Sequence, residues 1–223
     1  MSDADLAATI VAAAARHGIA GAEENAARLA AYAASLWRWN ERLNLTRHAD
    51  PERFVARDLV DSAALAAHLA RGERVLDVGT GGGVPGVLLA ILRPDLRVEL
   101  AESVAKKARA VTAILDEIGL AMPVHATAAQ AVVAARTAGP GRFDSLVVRA
   151  VAPLEKLLRW FEPLCGSYGR MLVVKGPRWE AEKAAARLRG LAKRVLVRRI
   201  AAWPIHGSDN ESVLLEIRQR TTA

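Results

Sequence analysis

In the first 70 residues, apolar positions recur at three- and four-residue steps, the spacing of one helical face, and no strand-like run interrupts them. Two alanine-rich segments, 3–16 and 23–39, are predicted helices, and in the second Leu29, Tyr32, Leu36 and Trp39 share a face. His17-Gly18 closes the first and Gly21 precedes the second, as expected of glycine beside a helix end. Asp50-Pro51 opens a third helix, with Asp50 as N-cap and Pro51 at the first helical position. Phe54, Val55, Leu59, Ala63 and Leu65 form its apolar side.

From Arg71 the rhythm changes to strand, turn and helix. Short apolar runs at 74–78, 97–100, 123–126, 145–148 and 171–174 alternate with helical stretches at 85–92, 104–118, 128–137, 153–164 and 178–191. Such alternation predicts an α/β chain with a parallel sheet covered by helices on both faces. Two further runs, 194–200 and 212–219, are joined by an 11-residue loop and predict an antiparallel pair at the sheet edge. The expected organisation is an N-terminal helical extension, residues 1–70, followed by a seven-stranded, mostly parallel domain, residues 71–223.

Composition sharpens this picture. At 223 residues, 52% hydrophobic and 25% charged, the chain suits one compact domain, and the single cysteine, Cys165, excludes a disulfide scaffold. No uncharged apolar run is long enough to cross a membrane, and Asp3 and Asp5 stand where a secretory leader would carry Lys or Arg. A cytoplasmic location is expected. Charge is unevenly spread: residues 1–135 hold 14 Lys and Arg against 16 Asp and Glu, whereas residues 136–223 hold 17 against 8. Arginine outnumbers lysine 25 to 6. A concentrated positive field attracts phosphates, and planar guanidinium groups stack on bases. Nucleic acid is therefore the expected partner, although arginine-rich solvated helix faces would give the same composition.

The sharpest local signal is the run from Val75 to Gly86, VLDVGTGGGVPG, in which a hydrophobic strand enters a turn with five glycines and then a helix. Glycine lets a ligand approach the backbone, and this turn lies at the C-terminal edge of the first parallel strand, where such sheets bind ligands. Gly81-x-Gly83-x-x-Gly86 matches the dinucleotide fingerprint, with Glu102 as a ribose-binding acid. The frame argues otherwise. Counted from Gly79, the first glycine after the strand, the third glycine position is Val84, and Pro85 stands where a phosphate-binding helix must offer N–H groups. Asp77, inside the strand, suits a ligand carrying an ammonium group better than a pyrophosphate. S-adenosylmethionine is the favoured cofactor, with Glu102 accepting from its ribose hydroxyls.

Other chemistries lack their residues. His48 and His125 have no His, Cys or carboxylate partner at ligand spacing, so no metal site is expected. No Gly-x-Ser-x-Gly, His-Glu-x-x-His or P-loop appears. Cys165 is expected within a helix, without a basic partner, as a packed small hydrophobe.

Taken in order, Trp39-Asn40-Glu41-Arg42-Leu43-Asn44-Leu45-Thr46, Arg57-Asp58-Leu59-Val60-Asp61-Ser62 and Asp77 through Gly86 make the chain resemble the ribosomal RNA small subunit methyltransferase G family, also called glucose-inhibited division protein B. Phe143-Asp144, Arg149-Ala150 and Lys175-Gly176 are later landmarks, so the resemblance runs from about Trp39 to the C-terminus. It implies a Rossmann-like class I methyltransferase that moves a methyl group from S-adenosylmethionine to N7 of one guanine in 16S rRNA. By position, the implied cofactor contacts fall on Gly79, Val84, Ala128, Ala129 and Arg149, beside Asp77, Gly81 and Gly83 of the glycine run and Glu102 at the end of the second strand. Three departures stand out. The family's Arg-His becomes Arg57-Asp58, its Arg-x-Glu before the third helix is replaced by Thr127-Ala128-Ala129-Gln130, and its ribose-binding Asp is Glu102.

Guanine N7 carries an in-plane lone pair, so its methylation needs positioning and a shaped field rather than a base. Arg149, after the fourth strand, can recognise guanine O6 or a phosphate or brace the cofactor carboxylate. Lys175, after the fifth, is placed to grip RNA phosphate, and these two are the expected catalytic groups. Asn44, Thr46, Arg57 and Lys175 are the expected substrate contacts, although Asn44 and Thr46 also suit helix capping. Asp61 and Ser62 are expected to orient neighbours, and the run Arg187, Arg189, Lys193, Arg194, Arg198 and Arg199 to contact phosphate in part. The expected partner is 16S rRNA or the small ribosomal subunit, engaged by a monomer without metal or membrane. A small-molecule or protein methyltransferase, a non-catalytic RNA-binding module and, third, a nicotinamide dehydrogenase are the other readings.

Overall fold

The structure is a computed structural model and describes residues 2–136, 141–191 and 193–220. Seven strands form one sheet: β1 Arg74–Val78, β2 Arg97–Ala101, β3 Val124–His125, β4 Phe143–Arg149, β5 Tyr168–Lys175, β6 Val195–Pro204 and β7 Glu211–Gln219. Their spatial order is β3-β2-β1-β4-β5-β7-β6, and β7 runs opposite to the other six, pairing antiparallel with β5 and β6. The register pairs Asp77 with Leu100 on one side and Val147 on the other, so β1 is central and its C-terminal end opens the ligand edge. This is the Rossmann-like, mostly parallel fold that the sequence predicts.

Successive side chains of a strand face opposite sides of a sheet. Leu76, Val78, Leu146, Val148 and Met171 accordingly share one core with Leu154 and Phe161 of helix α8 (Leu154–Phe161). Val75, Val147 and Leu172 face the other core, with Val87, Leu88 and Ile91 of α5 (Gly86–Leu92). That second core also contains Ile10 of α1 (Asp3–Arg16), Leu29, Tyr32 and Leu36 of α2 (Ala26–Asn40), and Phe54 and Leu59. The N-terminal helices therefore cover one face of the sheet. Glu117, at the end of α6 (Ala105–Glu117), ties them down, accepting from Ser35 Oγ at 2.6 Å, Arg38 Nη2 at 2.7 Å and Trp39 Nε1 at 3.1 Å.

Capping follows the sequence. Asp50 accepts from the Arg53 amide at 2.9 Å and opens α3 (Pro51–Arg53). The expected single helix then differs in kind: Phe54–Leu59 is π-helical before α4 (Val60–Ala66) resumes the tighter pitch. The remaining helices are α7 (Ala129–Ala134) and α9 (Trp179–Leu188); the expected end of α7 at Thr137 lies outside the described residues. β6 and β7 are longer than their apolar runs, leaving a turn of only 205–210 between them. Cys165 follows a short 3₁₀ turn, Glu162–Leu164, and is not inside a helix as expected; burial pushes its thiol pKa up.

Candidate active site at the C-terminal edge of the sheet

A cleft of about 950 Å³ opens where β1, β2, β4 and β5 end. Its walls come from the loop 44–48, the π-helical segment, the glycine turn, Glu102 to Lys107, Arg149 to Val151 and Lys175-Gly176.

The turn is built on backbone geometry. Gly79, Gly81 and Gly83 have φ of 68°, 60° and 110°, values that favour glycine. A Cβ at Gly82, whose φ is ordinary, would lie 2.6 Å from Leu36 Cδ1 and 3.2 Å from Leu45 Cβ, so the helical layer rests directly on the turn. Tyr32 Oη donates to the Gly82 carbonyl at 2.9 Å from beneath. At Gly81 the Cβ direction is open apart from the Leu45 carbonyl at 3.9 Å. This is the point where a ligand can lie against the chain.

The structure gives Asp77 a different place from the one its motif position suggests. Its side chain is fully buried under the turn, outside the cleft, where Oδ2 accepts from Thr80 Oγ1 at 2.5 Å and the Gly86 amide at 2.9 Å. Burial raises its pKa to about 6, against the lowering effect of those two hydrogen bonds. Asp77 therefore holds the turn together through Oδ2, while its Oδ1 is buried without a hydrogen-bond partner. The same bonds use up the start of α5: Pro85 has no N–H, and the Gly86 N–H is spent on Asp77. A pyrophosphate would find no free donor at these two positions.

Glu102 lines the cleft and is already engaged. Oε2 accepts from the Gly81 amide at 3.0 Å and Oε1 from the Val104 amide at 2.8 Å. Its extra methylene lets the carboxylate reach back to the turn, and each oxygen keeps a lone pair for a hydroxyl donor. Val84 lines the same wall. Ala128 and Ala129 stand at the start of α7, beyond β3 on the same sheet edge, but are not among the residues lining the cleft.

Arg149 is the centre of a buried ionic cluster. Its Nη2 lies 2.7 Å from Asp58 Oδ1 and its Nε 2.8 Å from Asp61 Oδ2. Trp203 Nε1 donates to Asp61 Oδ1 at 3.0 Å, and His48 Nδ1 lies 2.8 Å from Asp58 Oδ1. Desolvation disfavours the charged guanidinium, but Asp58 and Asp61 overcome it and raise the Arg149 pKa. Asp58 Oδ2 is buried without a hydrogen-bond partner. Ala150 follows with φ 55°, the one non-glycine of positive φ among the described residues, and so carries local strain on the cleft wall.

Lys175 also lines the cleft, but its ammonium lies 2.7 Å from Glu182 Oε2 and donates to the Ala152 carbonyl at 2.7 Å. One of its three donors is left for a ligand. Asn44 is exposed on the rim, and Arg57 lines the wall. Thr46 Oγ1 accepts from the His48 amide at 3.0 Å, while Asn40 Oδ1 accepts from the Leu45 and Thr46 amides, so this loop holds itself rather than capping a helix. Contrary to the expectation from spacing, the histidines have carboxylate partners: His48 meets Asp58, and His125 Nε2 lies 2.7 Å from Glu99. Among the described residues no group of three or more His, Cys, Asp or Glu could hold a metal ion, and no helix is long and apolar enough to cross a membrane. Sequence reasoning missed Tyr32, Gly82, His48 and Ala150 as parts of the site; Gly82, inside the glycine run, and Ala150, beside Arg149, carried a signal.

Residues 25–203 match the model of the GidB family, described as rRNA small subunit methyltransferase G. Ribosomal RNA small subunit methyltransferase G of Rhodopirellula baltica is 44% identical over 174 residues, 78% of this chain and 73% of that protein. The protein of the same name from Pseudomonas paraeruginosa is 41% identical over 170 residues, 75% of this chain and 77% of that one. Among solved structures, MtNAS in complex with MTA and tNA superposes with a TM-score of 0.56 at 18% identity, covering 92% of this chain and 80% of that one. M. capricolum TrmK in complex with S-adenosylhomocysteine gives 0.55 at 12% identity, covering 71% and 67%; these two likenesses concern the fold. The chain belongs to the rRNA small subunit methyltransferase G family.

Proposed function

We propose that this protein transfers a methyl group from S-adenosylmethionine to N7 of a guanine in 16S rRNA, working as a monomer in the cytoplasm. The observation that carries the cofactor assignment is the Gly86 N–H bonded to Asp77 beside Pro85, which removes the phosphate site a dinucleotide would need at this turn. The glycine cradle and the acid at the end of β2 suit a nucleoside carrying no phosphate.

When bound, S-adenosylmethionine supplies an electrophilic methyl group, and guanine N7 supplies the electron pair, so no residue has to remove a proton. Gly79, Gly81, Gly83 and Val84 offer the backbone surface, and Glu102 accepts from the ribose hydroxyls. Asp77 acts beneath them by fixing the turn. Ala128 and Ala129 contribute backbone contacts from the next loop. Arg149, held by Asp58 and Asp61, presents its remaining guanidinium edge to guanine O6, to a phosphate or to the cofactor carboxylate. It does not donate to N7, because that would block the reacting lone pair. The two carboxylates beside it place negative charge near a base that becomes cationic. Asn44, Thr46, Arg57 and the free donor of Lys175 line the approach of the RNA.

Calorimetric titration with S-adenosylmethionine and, separately, with NAD tests the cofactor. Incubation with 16S rRNA, then mass spectrometry for N7-methylguanine, tests the reaction. Binding of the first ligand alone, with methyl appearing at N7, is the expected result. NAD binding would return the site to the dehydrogenase reading.

A further inference from the structure

Beside the cleft lies a second cavity of about 450 Å³, lined by Arg47, His48, Glu52, Arg53, Ala56, Arg57 and His206. Arg47, His48 and Arg57 line both cavities, so the two communicate through these side chains. Three distant parts of the sequence build this annex. Arg47 comes from the loop after α2, Arg53 and Arg57 from α3 and the π-helical segment, and His206 from the turn between β6 and β7. His206 is held in place by an edge-on contact with His17, with ring centroids 5.4 Å apart.

Its charge is unbalanced. Glu52, the single acid of the wall, is already paired with Arg16, and Arg53 has only a loose contact with Asp50 at 3.6 Å. Arg47 and Arg57 form no ion pair among the described residues. Three guanidinium groups converging on one concavity create a strong attraction for an anion, and their planar forks match phosphate oxygens. The π-helical turn beneath Arg57 is a rare geometry that concentrates at functional sites.

We infer that this annex binds the phosphodiester backbone flanking the guanine that occupies the cleft, with Arg47, Arg53 and His206 as contacts and Arg57 as the residue bridging the two cavities. The inference rests on the proposed RNA methyltransferase function. The RNA path then runs from the methyl-transfer site over the N-terminal helices, away from the most basic stretch of sequence in the C-terminal third.

The test compares the intact chain with an Arg47→Ala/Arg53→Ala double variant and with an Arg97→Ala control, which removes an exposed charge at the opposite end of the sheet. Affinity for 16S rRNA is measured over a range of salt concentrations, and methyl transfer and S-adenosylmethionine binding are measured alongside. The double variant is expected to bind RNA about 10- to 100-fold more weakly, with a salt slope shallower by about two and an unchanged affinity for S-adenosylmethionine. An RNA affinity and slope equal to those of the intact chain would overturn the inference. So would a parallel loss of S-adenosylmethionine binding, which would mean that the loop had lost its packing. Competition by inorganic phosphate at constant ionic strength, abolished in the double variant, would assign the annex to a free anion instead. Absence of methyl transfer by the intact chain would strike the proposed function alone, because the binding arm still reads the annex.

Discussion

Asp58 Oδ1 lies 2.7 Å from Arg149 Nη2 and 2.8 Å from His48 Nδ1, so one carboxylate oxygen joins the end of β4 to the loop after α2. The family's basic ring at this position is absent, yet an imidazole is present, supplied by His48. Removing one member of a buried ionic cluster leaves its partners under-compensated. Asp58→Asn is expected to cost about 3 kcal/mol of stability in denaturant unfolding, at the low end because Asp61 still holds Arg149. Methyl transfer should fall with it. Combined with His48→Ala, the losses should be less than additive; strict additivity would show that the two side chains act independently.

Gly81 has a φ of 60° and an open Cβ direction, so a substitution there is strained in the backbone but meets no packed neighbour. Gly81→Arg is expected to remain folded, at a backbone cost of about 1–2 kcal/mol, while its side chain fills the cleft. Calorimetric heat on adding S-adenosylmethionine should disappear. Retained affinity would mean that the cofactor lies elsewhere.

How far the sequence could be read depended on the range of the interaction. Strand positions were legible because Val75, Leu76, Val147 and Leu172 are buried between two helical layers and form continuous apolar runs. Strand lengths were less so: Arg170 extends β5 because Glu73 and Glu216 neutralise it, and both lie far away in sequence. The glycine turn was legible in outline, but not that Asp77 faces the interior, since alternation along one short strand does not say which core each face meets. The π-helical segment left no trace, because Phe54, Val55 and Leu59 satisfy an ordinary helical pattern equally well. Arg149 could be picked out as a strand-end cation. Its partners Asp58 and Asp61, on an N-terminal helix, emerge only from the packing.

The buried Asp77 predicts a pH dependence of stability. Its carboxyl has a pKa of about 6 when folded and about 4 in an unfolded chain, so between those values the folded state binds more protons. This group's contribution to stability must then decline as pH rises from about 4 to 6, by up to about 3 kcal/mol, and stay level above. Asp77→Asn keeps an acceptor for Thr80 and Gly86 without the buried charge. The stability of the native chain relative to this variant, measured by urea unfolding, should fall across that window; a constant difference would contradict the raised pKa.

Lys175 binds Glu182, which also accepts from the Leu154 amide at 2.8 Å and so anchors the start of α8. Lys175→Ala removes the remaining donor at the cleft and releases the Ala152 carbonyl. The RNA KM is expected to rise about tenfold, the loss of one charge-assisted contact, with S-adenosylmethionine affinity unchanged. A defect confined to cofactor binding would make Lys175 part of the cofactor site instead.

Contact between Gly82 and α2 makes the helical layer part of the site, and it can be tested by a pair of compensating substitutions. A methyl group at Gly82 would meet Leu36 Cδ1 at 2.6 Å and Leu45 Cβ at 3.2 Å, too close for either to remain in place. Overpacking of this kind costs about 1–3 kcal/mol, and the displaced turn should weaken S-adenosylmethionine binding. Leu36→Ala opens a cavity in a fully buried position and is itself destabilising by about 2–5 kcal/mol. In the double variant the new methyl group occupies part of the space that Leu36 vacates. Cofactor affinity should recover towards that of the native chain, although stability will not. Failure of Leu36→Ala to restore affinity would show that the turn is held by Leu45 of the following loop rather than by Leu36 of α2.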